Sequence, residues 1–475
     1  MLPAMGAKDE LIENLTFDEL QPGQRARMQR TLRMDDINAF ALVSGDVNPS
    51  HVDAAYAEST ELHGVTAHGL WAAALISGLL GNDFPGAGTV YLEQTLRFQR
   101  PVRLGDTLTV GVQVLAKDDA THNVRLGCEV HNQRGEAVLL GDALVRAPQH
   151  KVLRPRTAMP TLHLFDPMAR LEAWMGTLAG HAPVRCAVVH PCDPASLLAA
   201  LAARTRGVIE PLLVGPPARL RALAQGLGLT LDGIEVVGSA HSHASAAAGA
   251  ALAARGEVGM LMKGSLHTDE LMAAVLAEPA LRTGRRMSHV FRFEVPAYPK
   301  PLLVTDAAIN IAPSLEDKAD ILRNVIGLAQ ALGVAQPRVA LLAAVETVTP
   351  RLVSTLDAAA LCKMAQRGQI AGALVDGPLG FDNAISAEAA HIKGIVSEVA
   401  GQADVLMVPD IESGNMLAKQ LEYLAGASGS GIVLGARVPI ALTSRADGPS
   451  NRVASALLAL LVAHNSRRDH PRPVW

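Results

Sequence analysis

GLWAAALISGLL, residues 69–80, is a dense run of alanine, leucine and other apolar residues opened by a glycine. Its length and unbroken apolar character predict one long core-facing helix. Four strand-like runs follow it: Thr89–Phe98, Asp106–Ala116, Asn123–Asn132 and Glu136–Ala147. They are rich in β-formers and are separated by turn residues such as Asp118-Asp119 and Gln133-Arg134-Gly135, which argues for an antiparallel sheet. A helix that precedes such a sheet is an α+β pattern.

Further along, the texture changes. Pro148–Pro160 (PQHKVLRPRTAMP) is basic, proline-bearing and without period, and reads as an exposed linker. Beyond it lie short buried-strand runs: CAVVH (186–190), PLLVG (211–215), GMLMK (259–263), PLLVTD (301–306), VALLAA (339–344), GALVD (372–376), VLMVP (405–409) and IVLGA (432–436). Amphipathic Ala/Leu-rich stretches alternate with them, the pattern of an α/β domain with helices on both faces of a largely parallel sheet. The expected division is 1–147, a linker at 148–164, and 165–475.

Bulk composition agrees. At 475 residues the chain is too long for one ordinary core. A formal charge of −4 gives no sign of a nucleic-acid surface. The four cysteines, Cys128, Cys186, Cys192 and Cys362, lack CxxC spacing and read as reduced thiols of a cytoplasmic protein. No apolar run reaches the ~18 residues a membrane span requires, and no secretory signal is visible at the start.

Upstream of the apolar helix, residues 40–57 read FALVSGDVNPSHVDAAYA. Gly45-Asp46 and Asn48-Pro49 impose a tight, non-helical backbone, and His51 follows. A carboxylate and an imidazole held by one turn can share a water, one accepting its proton while the other orients it. Residue types alone leave a second reading open, in which Asp46 and Asn48 are turn or capping residues and His51 neighbours a helix cap. Gly69 opens the helix, where backbone N–H groups form an anion site able to polarise a thioester oxygen.

Phe40, Ser44, Gly45, Asp46, Asn48, Pro49, His51 and Ala57, with the downstream AHGLWAAALIS and YLEQTLRFQRPVRLGDTLTVGVQV, resemble the MaoC-like, (R)-specific enoyl-CoA hydratases of the hot-dog fold. Ser50 stands where that family usually carries an aliphatic residue. The resemblance implies hydration of a trans-2-enoyl-CoA. Asp46 and His51 would activate the water, Gly69 would stabilise the enolate oxygen, and Ser44 and Asn48 would help form the substrate site. It also implies a homo-oligomer, a dimer or higher, because a single hot dog normally builds its site against a second copy.

The densest chemistry of the second half lies in 375–447. Phosphate oxygens only accept, so they need a fixed cation with hydroxyl or amide donors. Ser444 and Arg445 after a buried strand could supply the first two, and Gly429 and Gly431 the amides. The alternative is a surface arginine paired with Asp447 and a glycine loop that merely turns. No GxxxxGK[ST] loop occurs, which disfavours ATP hydrolysis.

MKGSLHTDELMAAVL, RRMSHVF, TDAAIN, VDGPL, PDIESGNMLAK, LGARVP and LTSRAD, in that order, resemble the phosphate acetyl/butyryltransferases. That family implies a two-lobed α/β fold like isocitrate and isopropylmalate dehydrogenases, with an inserted lobe near 300–437. It implies acyl transfer between CoA and phosphate, with acyl-CoA and inorganic phosphate as substrates and no tightly bound cofactor or metal. Ser444 and Arg445 would be catalytic. Where the acetyl-type pattern has an aspartate, this chain has Asn451, and an amide cannot act as a base. Either Asp447 takes that role or the thiol is deprotonated without such help, with Asn451 left to contact substrate. The SRAD spelling and Glu346 are more similar to the butyryl-type branch.

Other groups are read plainly. His241 and His243 are a polar turn rather than a metal site, and Arg285 and Arg286 are a solvated basic pair. Two further functional readings stay open: a C-terminal half that only senses acyl-CoA or drives oligomerisation, and a metal-dependent decarboxylating dehydrogenase.

Overall fold

A computed structural model describes residues 11–155, 167–176, 180–443 and 448–469. The chain divides into two compact units, 1–164 and 165–475.

In the first unit β1 (Arg25–Thr31) leads into α1 (Met34–Ser44), then come the predicted helix, α2 (Gly69–Asn82), and strands β2 (Val90–Gln94), β3 (Thr107–Asp118), β4 (Asn123–His131) and β5 (Ala137–Arg146). They pair antiparallel in the order β1-β3-β4-β5-β2, with Arg97–Phe98 also on β5. Alternate residues of the central strands turn inward: Leu108, Val110, Val112 and Val114 on β3, and Val124, Leu126, Cys128 and Val130 on β4. They close on Trp71, Ala72, Ile76, Leu79 and Leu80 of α2, a helix wrapped by a sheet. Each fully buried Val, Leu or Ile there contributes about 1.5–3 kcal/mol. The α+β expectation holds.

Strand β1 (RARMQRT), at a sheet edge, sets only Ala26 and Met28 against the core, a pattern too short to read in the sequence. The stretch read as a linker is structured in part. Leu153–Pro155 pairs with Leu11–Glu13, and the buried Asn14 side chain binds the His150 carbonyl and the Val152 N–H at 2.9 and 2.8 Å.

The second unit is built on one eleven-stranded sheet. Its strands are β6 (Val184–Val189), β7 (Ile209–Gly215), β8 (Glu235–Gly238), β9 (Met260–Lys263), β10 (Ser288–Glu294), β11 (Leu302–Thr305), β12 (Arg338–Leu342), β13 (Leu374–Leu379), β14 (Val405–Met407), β15 (Ser428–Leu434) and β16 (Ile440–Ala441). The order is β8-β7-β6-β9-β16-β15-β10-β11-β14-β12-β13. All neighbours are parallel except β16–β15, β15–β10 and β10–β11. The two parallel halves therefore run in opposite directions, joined through a central antiparallel stretch.

One face of this sheet is covered by a single continuous apolar cluster. The other carries two clusters. His289, fully buried, stands where they meet: it lies across from Val433 of one and 4.3 Å from the ring of Phe291 of the other. Among the described residues, no helix is long and apolar enough to cross a membrane.

Candidate active sites

In the first unit, α1 stops at Gly45, whose φ of 75° is left-handed and suits glycine. The Ser44 hydroxyl donates to the Phe40 carbonyl at 2.6 Å and accepts from the Asp46 N–H at 3.2 Å. Asp46 Oδ1 then accepts the Asn48 N–H at 3.2 Å, and Asn48 caps the short helix Pro49–Val52 through the Ser50 N–H at 3.0 Å. Capping and presentation of His51 thus turn out to be one arrangement. Ser44 and Asn48 shape the turn.

His51 Nδ1 lies 2.8 Å from the Thr66 carbonyl. A carbonyl only accepts, so Nδ1 carries the proton and Nε2 of the neutral ring holds a lone pair. Asp46 is exposed, His51 half-buried and His68 buried, and ligating atoms of the three lie within 4.8 Å of one another. Two hydrogen bonds of ~2.8 Å at a tetrahedral angle span about 4.6 Å, so one water can reach two of them at once. The same donor set is one a divalent cation could use. Gly69 takes the first position of α2, where the N–H has no intrahelical acceptor.

His68 was not singled out by the sequence, although it stands in the AHGLWAAALIS stretch directly before Gly69. The available signal was a histidine placed immediately before the glycine of a helix start.

In the second unit, Ser444, Arg445 and Asp447 lie outside the described residues. β16 and the buried Thr443 precede them, and a helix, Pro449–Asp469, follows. The buried Arg452 on that helix donates to Thr443 Oγ1 at 3.1 Å. Asn451 Oδ1 accepts from Ser428 Oγ at 3.0 Å, which ties it to β15. Lys263, buried, ends β9, the parallel neighbour of β16.

The glycine stretch corrects an expectation. Gly429 and Gly431 belong to the buried strand β15, not to a phosphate-cradling loop. The Gly431 N–H is taken by Ser455 Oγ at 2.9 Å. A Cβ on Gly429 would come 2.8 Å from the Phe293 ring. One on Gly431 would come 2.8 Å from His289 Nε2 and strike the Leu442 carbonyl. These glycines make room for the rings of β10.

Neither ring nitrogen of His289 makes a well-formed hydrogen bond, although the Leu442 main chain lies beside the ring. Burial holds its pKa down to about 4, against opposing pulls from Asp306 and from the Leu442 main chain. Asp306 accepts from the N–H groups of Ala308 and Ile309, both at 3.0 Å, and from Asn310 Nδ2 at 2.6 Å. Arg286 Nε in turn donates to Asn310 Oδ1 at 2.7 Å. So Arg286 is part of a polar network and not simply a solvated cation. His241 accepts from the Ala244 N–H as a helix cap, as a polar turn should, and His243 lies 3.3 Å from Glu270. Glu346 is held below the usual carboxylate range, first by the Lys393 ammonium at 2.6 Å.

Residues 240–460 match the phosphate acetyl/butaryl transferase family. Over 300 residues the chain is 55% identical to the phosphate acetyltransferase of Rhizobium meliloti, covering 63% of this chain and 95% of that protein. The chain belongs to the phosphate acetyl/butyryltransferase family. It is an acyltransferase of that family carrying a second, N-terminal domain, for residues 18–133 match the MaoC like domain. The phosphate butyryltransferase of Clostridium acetobutylicum is 41% identical over 282 residues, 59% of this chain and 94% of that one. The crystal structure of a branched-chain phosphotransacylase from Enterococcus faecalis V583 superposes with a TM-score of 0.53 at 30% identity, covering 59% of this chain and 99% of that one.

Proposed function

We propose that the chain carries two reactions of CoA thioesters: hydration of a trans-2-enoyl-CoA to an (R)-3-hydroxyacyl-CoA in the first unit, and reversible acyl transfer between CoA and phosphate in the second. The observation that carries the first is the grouping of Asp46, His51 and His68, whose ligating atoms lie within 4.8 Å of one another while the Thr66 carbonyl engages His51 Nδ1. A water between Asp46 and His51 loses one proton to the base as its oxygen attacks C3. The negative charge that develops on the thioester oxygen is met by the Gly69 N–H and the N-terminal end of α2. C2 then takes a proton from the same pair, so no proton is gained or lost overall. Exposed apolar side chains around this site, Leu42, Val43, Val47, Leu70 and Phe98, support a second copy packing against it.

In the second unit, a phosphate oxygen bound by Arg445 attacks the thioester carbonyl. The C–O bond forms, Ser444 donates to the oxyanion or to phosphate, and the C–S bond breaks to release CoA. Because Asn451 is engaged with Ser428, the reading gives the thiol proton to Asp447. Both reactions proceed with bound substrates alone, with no tightly held cofactor. The opposed halves of the sheet support the two-lobed, dehydrogenase-like description, and the four unpaired cysteines support a cytoplasmic site.

Two assays on the purified chain test this. Crotonyl-CoA should lose its enoyl absorbance and give the (R)-alcohol, and butyryl-CoA with phosphate should give acyl phosphate trapped as a hydroxamate. Absence of the first rules out the hydratase reading, and absence of the second leaves the C-terminal unit as a binding module.

A further inference from the structure

We infer that His68 is a positioning residue that locks the water-activating pair to the oxyanion site, an assignment that rests on the hydration reading of the first unit. The His68 side chain is 3% exposed. Its Nε2 lies 2.8 Å from the main-chain carbonyl of Asp46, so Nε2 is the protonated nitrogen. Nδ1 is then a bare acceptor in the neutral ring, and it is buried with no hydrogen-bond partner. An apolar ring would fill the same space without that unsatisfied atom. The N–H given to Asp46 is what an imidazole adds here.

Three contacts converge on this side chain. The hydrogen bond holds the Asp46 turn. The ring lies 4.0 Å from that of His51 at an interplanar angle of 36°, and 5.1 Å from that of Phe40 on α1. His68 is also the N-cap of α2, so the next residue is Gly69. One residue therefore fixes the carboxylate, the imidazole and the N–H that would meet the enolate oxygen. Their relative placement decides the rate, since a misplacement of about 1 Å can cost about a hundredfold.

Two substitutions in the full-length chain separate the bond from the ring. Glutamine places its amide nitrogen as many bonds from Cα as His68 Nε2, so His68→Gln keeps the donor to Asp46 and loses the ring. His68→Phe keeps the ring and loses the donor. For crotonyl-CoA hydration, His68→Phe should lower kcat about a hundredfold with KM nearly unchanged, and His68→Gln should recover to within about tenfold of the parent. Acyl transfer by the same chain should not change in either. A parental kcat for His68→Phe, or equal losses in the two variants, overturns the inference. Should His68→Phe fail to fold, His68→Asn replaces it: its shorter amide ends near the Nδ1 position, so His68→Gln must exceed it, and equality overturns the inference. If the parent chain does not hydrate, or hydrates equally well after Asp46→Asn, the hydration reading fails and takes the inference with it. If Asp46 is essential and His68→Phe is harmless, only the inference fails.

Discussion

The two units gather their polar groups in opposite ways. In the first, Ser44, Asp46, Asn48, His51, His68 and Gly69 come from one short stretch, and local hydrogen bonds hold them. The trio is open to solvent at Asp46. In the second, the polar side chains Lys263, His289, Asp306 and Arg452 come from distant segments and are buried in the sheet or beside the strand that leads to Ser444. A locally built site can be read from a motif and damaged one residue at a time. A site built from several strands depends on the sheet, so its supporting residues should act on stability as well as on rate.

That contrast can be broken at several points. The largest effect is expected at Arg445. Arg445→Ala should lower acyl transfer by roughly two to three orders of magnitude, measured as CoA release with arsenate or phosphate, while hydration by the first unit continues at the parental rate. Loss of hydration as well would end the claim of independence.

Burial of His289 predicts a pH effect on stability. Its folded pKa, about 4, lies below the free value of 6.5. The unfolded chain therefore binds a proton before the folded unit does. The stability is fully present above about pH 6.5 and falls as pH drops toward 4, by roughly 3 kcal/mol at most. His289→Leu should flatten that acid limb in denaturant titrations of the full chain. An unchanged limb would mean the ring is hydrated or paired in solution.

A smaller effect is expected from Gly431→Ala, whose new methyl would strike the Leu442 carbonyl and crowd His289. Overpacking of this kind costs about 1–3 kcal/mol, read as a lower thermal midpoint for the second unit with the first unchanged. Tolerance of the methyl would point to a looser strand pair than described.

How much could be read in advance follows the same division. The helix at residue 69 was legible from its unbroken apolar run, and four of the first unit's strands from their β-formers between turn residues, with β3, β4 and β5 alternating between buried and partly exposed positions. β1 was not, because its only apolar residues, Ala26 and Met28, alternate with arginines on a sheet edge and make too short a pattern to stand out. In the second unit most of the parallel strands stood out as apolar runs, but the short edge strand β8 and the two-residue β16 did not. β10 (SHVFRFE) did not, because both its faces are buried while it carries His289 and Arg292. The Gly429–Gly431 stretch was misread as a loop, since glycine usually weakens a strand. Here it is the partner that His289 and Phe293 require, a fact held in another segment of the chain. Asp46, His51 and Gly69 were singled out through the resemblance of their surrounding motif to a known family, since residue types alone left a capping role open. His68 was passed over because its role depends on a carbonyl far upstream.

The most direct test of two independent sites is Asp46→Asn in the intact chain, with crotonyl-CoA hydration and butyryl-CoA phosphorolysis measured on the same preparation. The account predicts hydration reduced at least about a hundredfold and phosphorolysis equal to the parent. A folded variant that keeps its hydration, or that loses both activities together, would contradict it.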